Sequence, residues 1–355
     1  MPRDETGRTH ALALEVPALP AAIPEFLHTH RVGLEAALRA HAGEEATELA
    51  AAARYVLGWE DEHGRASEAG GKRIRPLLCL FAAETLGAPV ADAMPGAVAV
   101  ELIHNFSLVH DDVQDRDALR HGRRTAWTLH GEAQAINLGD YLYTRAVEAL
   151  ARAEGPVGRR MAALATLLDA TRRMIEGQWL DVSFESRDAV TANEYVAMVA
   201  GKTGALLGAS LAMGAILAGA PPIYAPALAR WGEHAGIAFQ LRDDYLGTWG
   251  DPGETGKPAG GDIARRKKSL PILLGLQDAT AAAVIREVYS RETVDEAGVA
   301  AVLAALDAAG CRRACETMAA EHSAGAAALL REIPLAAESR QRFSEVAAYL
   351  VGRQF

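Results

Sequence analysis

The stretch "ELIHNFSLVHDDVQD" at residues 101–115 has the spacing of a mostly apolar helix that ends in acidic residues. Long segments rich in Ala, Leu, Glu and Arg, as around 146–168 and 296–308, carry apolar residues at the same three- and four-residue spacing. The sequence lacks alternating β-branched runs joined by Asn-Gly or Asp-Gly turns. We therefore predict one all-α domain over residues 25–355, with helices around an interior space, preceded by a loose arm at residues 1–24.

Three carboxylates end the helix of this first stretch. Asp111 and Asp115 are four residues apart and share a helix face, with Asp112 beside them. The three repel one another, and the negative end of the helix dipole disfavours them further. A bound cation would compensate both effects, and such carboxylates suit Mg²⁺, which keeps several waters and takes phosphate oxygens as further ligands. A solvated acidic cap is the alternative that this cluster alone leaves open.

A second acidic cluster follows another apolar run, in "FQLRDDYL" at residues 239–246, where Asp243 and Asp244 are adjacent. The loop that follows brings Lys257, Asp262 and Lys267 together among glycines. Each acidic helix end is thus followed closely by Arg and Lys residues. In this repeated arrangement the carboxylates hold metal ions, and the metals and cations together hold a highly charged phosphate group.

The overall charge and composition limit the possible partners and the compartment. The net charge is -10, so nucleic acid is not an expected partner, yet basic residues cluster in "GGKRIRP", "LRHGRR" and "ARRKK". Three cysteines predict a reducing compartment without a disulfide framework. The N-terminus lacks the apolar core of a signal peptide. Residues 203–220 are uncharged but rich in Gly, Ala and Ser, which predicts a buried core helix, not a transmembrane segment. We expect a cytoplasmic protein.

The phosphate chemistry has two candidate forms. The sequence has no Walker-A loop, no kinase motif set and no evident activated nucleophile, which disfavours phosphoryl transfer. Diphosphate can instead be a leaving group, when an allylic C–O bond ionises to a carbocation. Metal and cation clamps stabilise the charge that develops on the diphosphate, and helices can wall the dry cavity that the carbocation needs.

At this point the sequence resembles the trans-isoprenyl diphosphate synthases, the polyprenyl synthetase family, from about Gly70 to the C-terminus. Six motifs occur in the family's order: "GGKRIRP", "ELIHNFSLVHDDVQD", "GQWLD" with Gln178, "GKTGAL", "FQLRDDYL" and "TGKPAGGDIARRKKSLP". The resemblance implies an all-helical bundle of the isoprenoid synthase type around a deep central cavity, usually in a homodimer. It also implies three Mg²⁺ ions and head-to-tail condensation of isopentenyl diphosphate onto an allylic diphosphate.

The resemblance also assigns residues. The acidic and basic residues at the reacting centre would be Asp111, Asp112, Asp115, Lys202, Asp243 and Asp244. Of these, Asp111 and Asp115 would hold two metals and Asp243 the third. Arg120, Lys202 and Lys257 would neutralise the allylic diphosphate, and Lys72, Arg75 and His104 would hold isopentenyl diphosphate. The remaining substrate-binding positions are Gly71, His121, Thr203, Gln240 and Lys267.

Two positions depart from the family pattern. His121 stands where an arginine often helps to bind isopentenyl diphosphate, and Arg123 and Arg124 are the nearby candidates for compensation. Gly247 stands where a further carboxylate of the second motif is expected, while Asp251 matches a later loop position. We expect Gly247 to weaken Mg²⁺ binding, and aspartate at this position to restore it.

Product length depends on the residues before the first motif. Phe106 and Ser107 lie five and four positions before Asp111, and five residues of helix span about 7.5 Å. A bulky residue there, without an insertion in the motif, resembles synthases that make fifteen- or twenty-carbon products, and geranylgeranyl diphosphate is the favoured one. Two other functions stay open: a terpene cyclase-like enzyme on the same fold, and a non-catalytic subunit of a heteromeric prenyl synthase.

Overall fold

The computed structural model describes residues 26–187, 189–250 and 259–351. These residues are mainly helical. The helices are α1 (Phe26–Thr29), α2 (Arg31–Ala42), α3 (Glu48–Val56), α4 (Ile74–Thr85), α5 (Val90–Gln114), α6 (Ala126–His130), α7 (Glu132–Ala151), α8 (Val157–Ser186), α9 (Ala192–Val199), α10 (Ala205–Ala218), α11 (Tyr224–Trp249), α12 (Gly261–Ala264), α13 (Leu270–Gly275), α14 (Ala279–Tyr289), α15 (Glu296–Ala308), α16 (Cys311–Glu332) and α17 (Ala337–Val351). A π-helical turn, Ala200–Gly204, joins α9 to α10.

Polar side chains at the N-cap positions explain where several helices begin. Thr191 accepts from the backbone N–H of Glu194, whose side chain bonds back to the Thr191 N–H, so a complete capping box starts α9. Asp278 and Asp295 accept backbone N–H groups at the starts of α14 and α15. These side chains satisfy donors that the first helical turn leaves unpaired. The all-α prediction is confirmed.

The centre of the core is formed by α4, α5, α10 and α11. Nearly every residue of α10 is buried, and α10 packs against the other three helices. Glycine lets α10 and α11 approach each other closely, because a Cβ atom at Gly208 of α10 would lie 2.4 Å from the carbonyl oxygen of Ala229 on α11. The segment Ala192–Ala218 is long and apolar enough to cross a membrane, but most of it is buried inside the molecule. This agrees with the prediction of a core helix.

A short antiparallel hairpin between α5 and α6 was not predicted. Its strands are β1 (Leu119–Arg120) and β2 (Arg123–Arg124), joined by His121 and Gly122. Both turn residues have positive φ, 50° and 74°, as a two-residue turn of type I′ requires. The hairpin projects a basic segment over the end of α5.

All three cysteines are buried, and none forms a disulfide bond. The predicted arm at residues 1–24 lies outside the described residues.

Candidate active site

Two positively charged side chains, Arg120 and Lys202, bind the acidic end of α5. Arg120 on β1 donates to Asp112 Oδ1 at 2.6 Å and to Asp111 Oδ2 at 3.1 Å. Lys202 Nζ donates to the other oxygen of Asp111 at 3.2 Å. Asp115 is the C-cap residue of α5. The three carboxylates and two cations predicted for this end of the site therefore lie together.

The π-helical turn Ala200–Gly204 positions Lys202. Such turns often occur at functional sites, because the wider turn displaces side chains from their α-helical directions. The turn crosses α8 closely, and a Cβ atom at Gly177 would lie 2.3 Å from the backbone nitrogen of Lys202. One helical turn further along α8, Asp181 accepts from Lys202 Nζ at 2.6 Å. Lys202 thus bridges α8 and α5.

The carboxylates at this end are only partly compensated. Burial raises the pKa of Asp112 to about 6. Burial, followed by repulsion from Asp111, raises the pKa of Asp115 to about 6. Burial opposes the charged form of Lys202, but Asp111 and Asp181 outweigh it, so the pKa of Lys202 is raised. A further cation beside Asp115 would therefore favour its charged form.

The carboxylates suit a hard divalent cation that is completed by a substrate. Within the three described ranges, no three His, Cys, Asp or Glu side chains converge as a ready ligand set. Mg²⁺ is typically held by one or two carboxylates together with waters and substrate phosphates. The residues present therefore fit Mg²⁺ bound jointly with a phosphate ligand, and the raised pKa of Asp115 is consistent with this.

The second acidic cluster divides into an open and a buried carboxylate. Asp243 on α11 lines the central cavity, whereas Asp244 is fully buried. Asp244 accepts from the Tyr195 hydroxyl, from Gln240 Nε2 at 3.2 Å and from Lys267 Nζ at 3.2 Å. Attraction by Asp244 is the largest effect that raises the pKa of Lys267. Asp244 thus orients Lys267 and Gln240, while Asp243 faces the cavity.

A cavity of about 890 Å³ reaches both acidic clusters. The predicted residues that line it are Gly71, Lys72, Arg75, His104, Asp112, Arg120, His121, Asp243, Gly247 and Lys267. Arg75 Nη1 lies 3.2 Å from His104 Nε2, and Arg75 Nε is buried without a hydrogen-bond partner. Burial, then the Arg75 guanidinium, holds the pKa of His104 well below its ordinary value. A buried guanidinium beside a neutral imidazole leaves donors suited to an anion.

The basic loop before α4 depends on a residue that the sequence did not single out. Arg73, in the left-handed region at φ 52°, donates to Glu35 at 2.9 Å, Glu101 at 2.7 Å and the Leu57 carbonyl at 2.6 Å. Its side chain is almost fully buried and is held by these three acceptors, so it supports the loop. Gly71, at φ 69°, supplies a second left-handed position. In the sequence, Arg73 is indistinguishable from its basic neighbours.

The predicted chain-length residues lie beside the cavity wall and do not line the cavity described above. Phe106 is buried, and its ring makes edge contacts with His110 at 4.9 Å and with Tyr143 of α7 at 5.5 Å between centroids. Ser107 is half-buried and donates to the His104 carbonyl.

The remaining predicted residues have local partners. Thr203 Oγ1 donates to Gln240 Oε1 at 3.4 Å, which links the π-helical turn to α11. Gln178 donates to Gln114 at the end of α5 at 2.9 Å. Lys257, like Asp251, lies outside the described residues.

The space beside Gly247 is occupied, while the expected effect of this glycine on Mg²⁺ binding stays a prediction. A Cβ atom there would lie 2.4 Å from Oδ2 of Asp262, so an added side chain would collide with a carboxylate already present. The sequence had placed Asp262 in the following loop without giving it a role. Asp181 was not predicted either, although "GQWLD" contains it, because the motif assigned a role only to Gln178. Tyr195, which donates to Asp244, has no signal in the sequence pattern.

Comparisons with known proteins extend over most of this fold. Residues 63–306 match the family model described as Polyprenyl synthetase. The (2E,6E)-farnesyl diphosphate synthase of Mycobacterium tuberculosis is 42% identical over 307 residues, which cover 84% of this chain and 85% of that protein. The geranylgeranyl diphosphate synthase of the same organism is 44% identical over 238 residues, covering 66% and 67%. The crystal structure of a polyprenyl synthetase from Streptomyces coelicolor A3(2) has a TM-score of 0.86 at 37% identity, covering 92% of this chain and 98% of that chain.

Proposed function

The chain belongs to the polyprenyl synthetase family, and we propose that it condenses isopentenyl diphosphate head-to-tail with allylic diphosphates. It is a prenyltransferase that makes short-chain all-trans prenyl diphosphates of fifteen to twenty carbons, the range spanned by its farnesyl and geranylgeranyl relatives. The observation that carries this proposal is one cavity that joins a basic wall to both acidic helix ends.

The basic wall accounts for two diphosphate sites. Lys72, Arg75 and His104 form the proposed site for isopentenyl diphosphate, and the buried, unpartnered Nε of Arg75 is a donor ready for a phosphate oxygen. Arg120 and Lys202 flank Asp111 and form the proposed site for the allylic diphosphate. Their positive charge stabilises the diphosphate as it leaves.

The walls between the charged groups are apolar. Leu108 and Val109 of α5 face the cavity, as do Phe239 and Leu246 of α11. An apolar wall keeps water from the allylic cation until the isopentenyl double bond reaches it. The condensed product then loses a proton, and the departed diphosphate is the proposed acceptor of that proton.

We place the metal ions at the two acidic helix ends. Asp111 and Asp115 would hold two Mg²⁺ ions and Asp243 a third, and Asp112 fixes Arg120 beside them. When bound, the ions supply positive charge that stabilises the leaving diphosphate. Asp244 contributes by orienting Lys267, and the Thr203–Gln240 hydrogen bond links the π-helical turn to α11.

For product length, we propose that Phe106 limits chain growth and favours the twenty-carbon product. Its ring is held between α5 and α7 by Tyr143 and His110, so it is a fixed barrier and not a mobile side chain. Phe106→Ala should open space toward α7 and shift products to longer chains, as measured by chromatography of the dephosphorylated alcohols. An unchanged distribution in a folded, active Phe106→Ala variant would exclude this role.

The proposed assembly is a homodimer, and the proposed compartment is the cytoplasm. Exposed apolar side chains follow one face of α8, and a second copy of the chain is their proposed occupant. Three buried, unbonded cysteines are consistent with a reducing compartment.

The function is tested by incubating the purified protein with Mg²⁺, isopentenyl diphosphate and allylic primers of increasing length. Chain-extended diphosphates are expected, with geranylgeranyl diphosphate as the main product. Hydrocarbon products would instead indicate a cyclase, and turnover only with an added partner synthase would indicate a regulatory subunit. The intact carboxylates of the first cluster and the basic loop at Lys72 favour the synthase over both.

A further inference from the structure

The basic segment "ARRKK" at residues 264–268 divides its lysines between the cavity and the protein's own backbone. Lys267 Nζ donates to Asp244 Oδ1 at 3.2 Å, and Lys267 lines the cavity together with Asp243. The next residue, Lys268, does not line that cavity. Of the two neighbouring lysines, Lys267 is therefore the one that is placed to meet a ligand.

Lys268 caps the C-terminal end of α8. Its Nζ donates to three backbone carbonyls there, those of Phe184 at 3.0 Å, Glu185 at 2.8 Å and Arg187 at 3.0 Å. The last carbonyls of a helix have no partner within the helix, and a positive charge is favourable at this end of the helix dipole. An ammonium group has three donors, so these three hydrogen bonds use all the donors of Lys268.

The segment is also anchored on the other side of Lys267. Arg266 has a φ of 56°, in the left-handed region that side chains other than glycine rarely adopt. Its guanidinium donates to the carbonyls of Arg291 and Glu292, in the connection between α14 and α15. Lys267 thus lies between two neighbours that are tied to different parts of the molecule, and these ties determine where its side chain begins.

We propose that Lys268 is a positioning residue for the reaction, because its cap on α8 holds Lys267 in place for the diphosphate at the second acidic helix end. The inference rests on the proposed function, in which Asp243 holds a metal ion beside the leaving diphosphate. Lys268 acts without touching the ligand, since α8 uses all of its donors. The same helix carries Asp181, which binds Lys202, so α8 supports a lysine on each side of the site.

The test uses Lys268→Met, which has a side chain of similar length and no donor. In steady-state kinetics the KM for the allylic diphosphate should rise about tenfold, the effect of one displaced charge-assisted hydrogen bond. The KM for isopentenyl diphosphate should stay unchanged. Lys268→Arg should restore most of the allylic affinity, because arginine can also donate to the last carbonyls of a helix. Lys268→Gln keeps an amide donor on a shorter side chain, so it disturbs the fold less and should give a smaller rise of the same kind.

A double variant shows whether Lys268 acts through Lys267. Lys267→Met removes the ammonium group that Lys268 is proposed to position. Adding Lys268→Met to Lys267→Met should then cause no further rise in the allylic KM, because two residues that act through one contact have non-additive effects. A separate structural role would instead add its full effect in the double variant.

Arg340→Met is the matched control. Arg340 Nη1 donates to the carbonyls of Leu330 and Arg331 at 3.0 Å, so it caps α16 much as Lys268 caps α8. None of these three residues lines the cavity. Arg340→Met should lower the thermal stability and leave both KM values unchanged.

Two results would overturn the inference while leaving the synthase function intact. One is an unchanged allylic KM in folded Lys268→Met or Lys268→Gln, and the other is a full further rise in the Lys267→Met background. A wild-type protein that does not extend allylic diphosphates would overturn the proposed function, and this inference with it.

Discussion

His121 forms, with Gly122, the turn of the β1–β2 hairpin and lines the basic side of the cavity. Both neighbouring arginines also line the cavity and are engaged by the protein's own groups. The Arg123 guanidinium stacks on the Tyr55 ring at 4.2 Å and donates to the Glu60 carbonyl at 2.6 Å. Arg124 donates to the Thr128 carbonyl at 2.7 Å. Compensation for His121 by either arginine stays a prediction.

His121→Arg should lower the KM for isopentenyl diphosphate. Arginine keeps its charge at all working pH values and presents a bidentate donor, whereas histidine is fully charged only in mildly acidic solution. One added charge-assisted hydrogen bond predicts a decrease of roughly tenfold, larger at pH 8 than at pH 6.5. The KM for the allylic primer should change little. Steady-state kinetics at both pH values provide the measurement.

His63→Arg is the control for this prediction, because His63 is exposed and does not line the cavity. This variant makes the same change of charge at a position that does not line the cavity. An equal fall in KM in both variants would indicate a long-range charge effect. No change in the His121→Arg variant would show that this turn does not contact isopentenyl diphosphate.

Among the elements, the π-helical turn Ala200–Gly204 is the one on which the allylic side of the site depends. It lies against α8 at two glycines, since a Cβ atom at Gly201 would lie 2.7 Å from the Arg173 carbonyl oxygen, and one at Gly177 would lie 2.3 Å from the Lys202 nitrogen. The position of Lys202 between Asp111 and Asp181 therefore requires close contact between two backbones.

Gly177→Ala should separate α8 from the π-helical turn and displace Lys202. We expect the free energy of unfolding to fall by about 1 to 3 kcal/mol, the usual cost of overpacking, although alanine is the better helix former. The kcat should fall as well, because Lys202 loses its alignment with Asp111. Urea denaturation and steady-state kinetics measure the two effects.

Gly158→Ala is the matched control on the same helix. A Cβ atom there meets no other atom within 4 Å, so stability should stay the same or rise slightly. If Gly177→Ala behaves like Gly158→Ala, the close contact between α8 and the π-helical turn is not required for stability.

The sequence predicts some of these elements and not others, for identifiable reasons. Apolar spacing and acidic ends define α5 and α11, because periodicity and charge are local properties of the chain. The π-helical turn at Lys202 could not be predicted, since the sequence "GKTGAL" is equally compatible with an ordinary α-helix. The Asp262 carboxylate could not be assigned to the space at Gly247, because their meeting depends on how the chain returns to α11.

At the scale of the molecule, helix α8 presents an exposed apolar face to solvent in the single chain. Its exposed apolar side chains are Val157, Met161, Leu168, Ile175, Trp179 and Val182. Their separations of four, seven, seven, four and three residues place them along one face of a 30-residue helix. Ile136 on α7 is exposed as well. A continuous apolar face of this length is typical of a protein–protein interface.

Trp179→Glu should convert the proposed dimer to monomer. Trp179 is 78% exposed in the single chain, and a stable interface buries more than about 1,000 Å², so a charge within it would be costly. Sedimentation velocity at matched concentrations should show a dimer for the wild type and a monomer for the variant.

Val32→Glu is the control, because Val32 is 84% exposed but lies on α2 and not on this face. The Val32→Glu variant should remain dimeric. A wild-type monomer, or a Trp179→Glu dimer of undiminished stability, would exclude α8 as the interface.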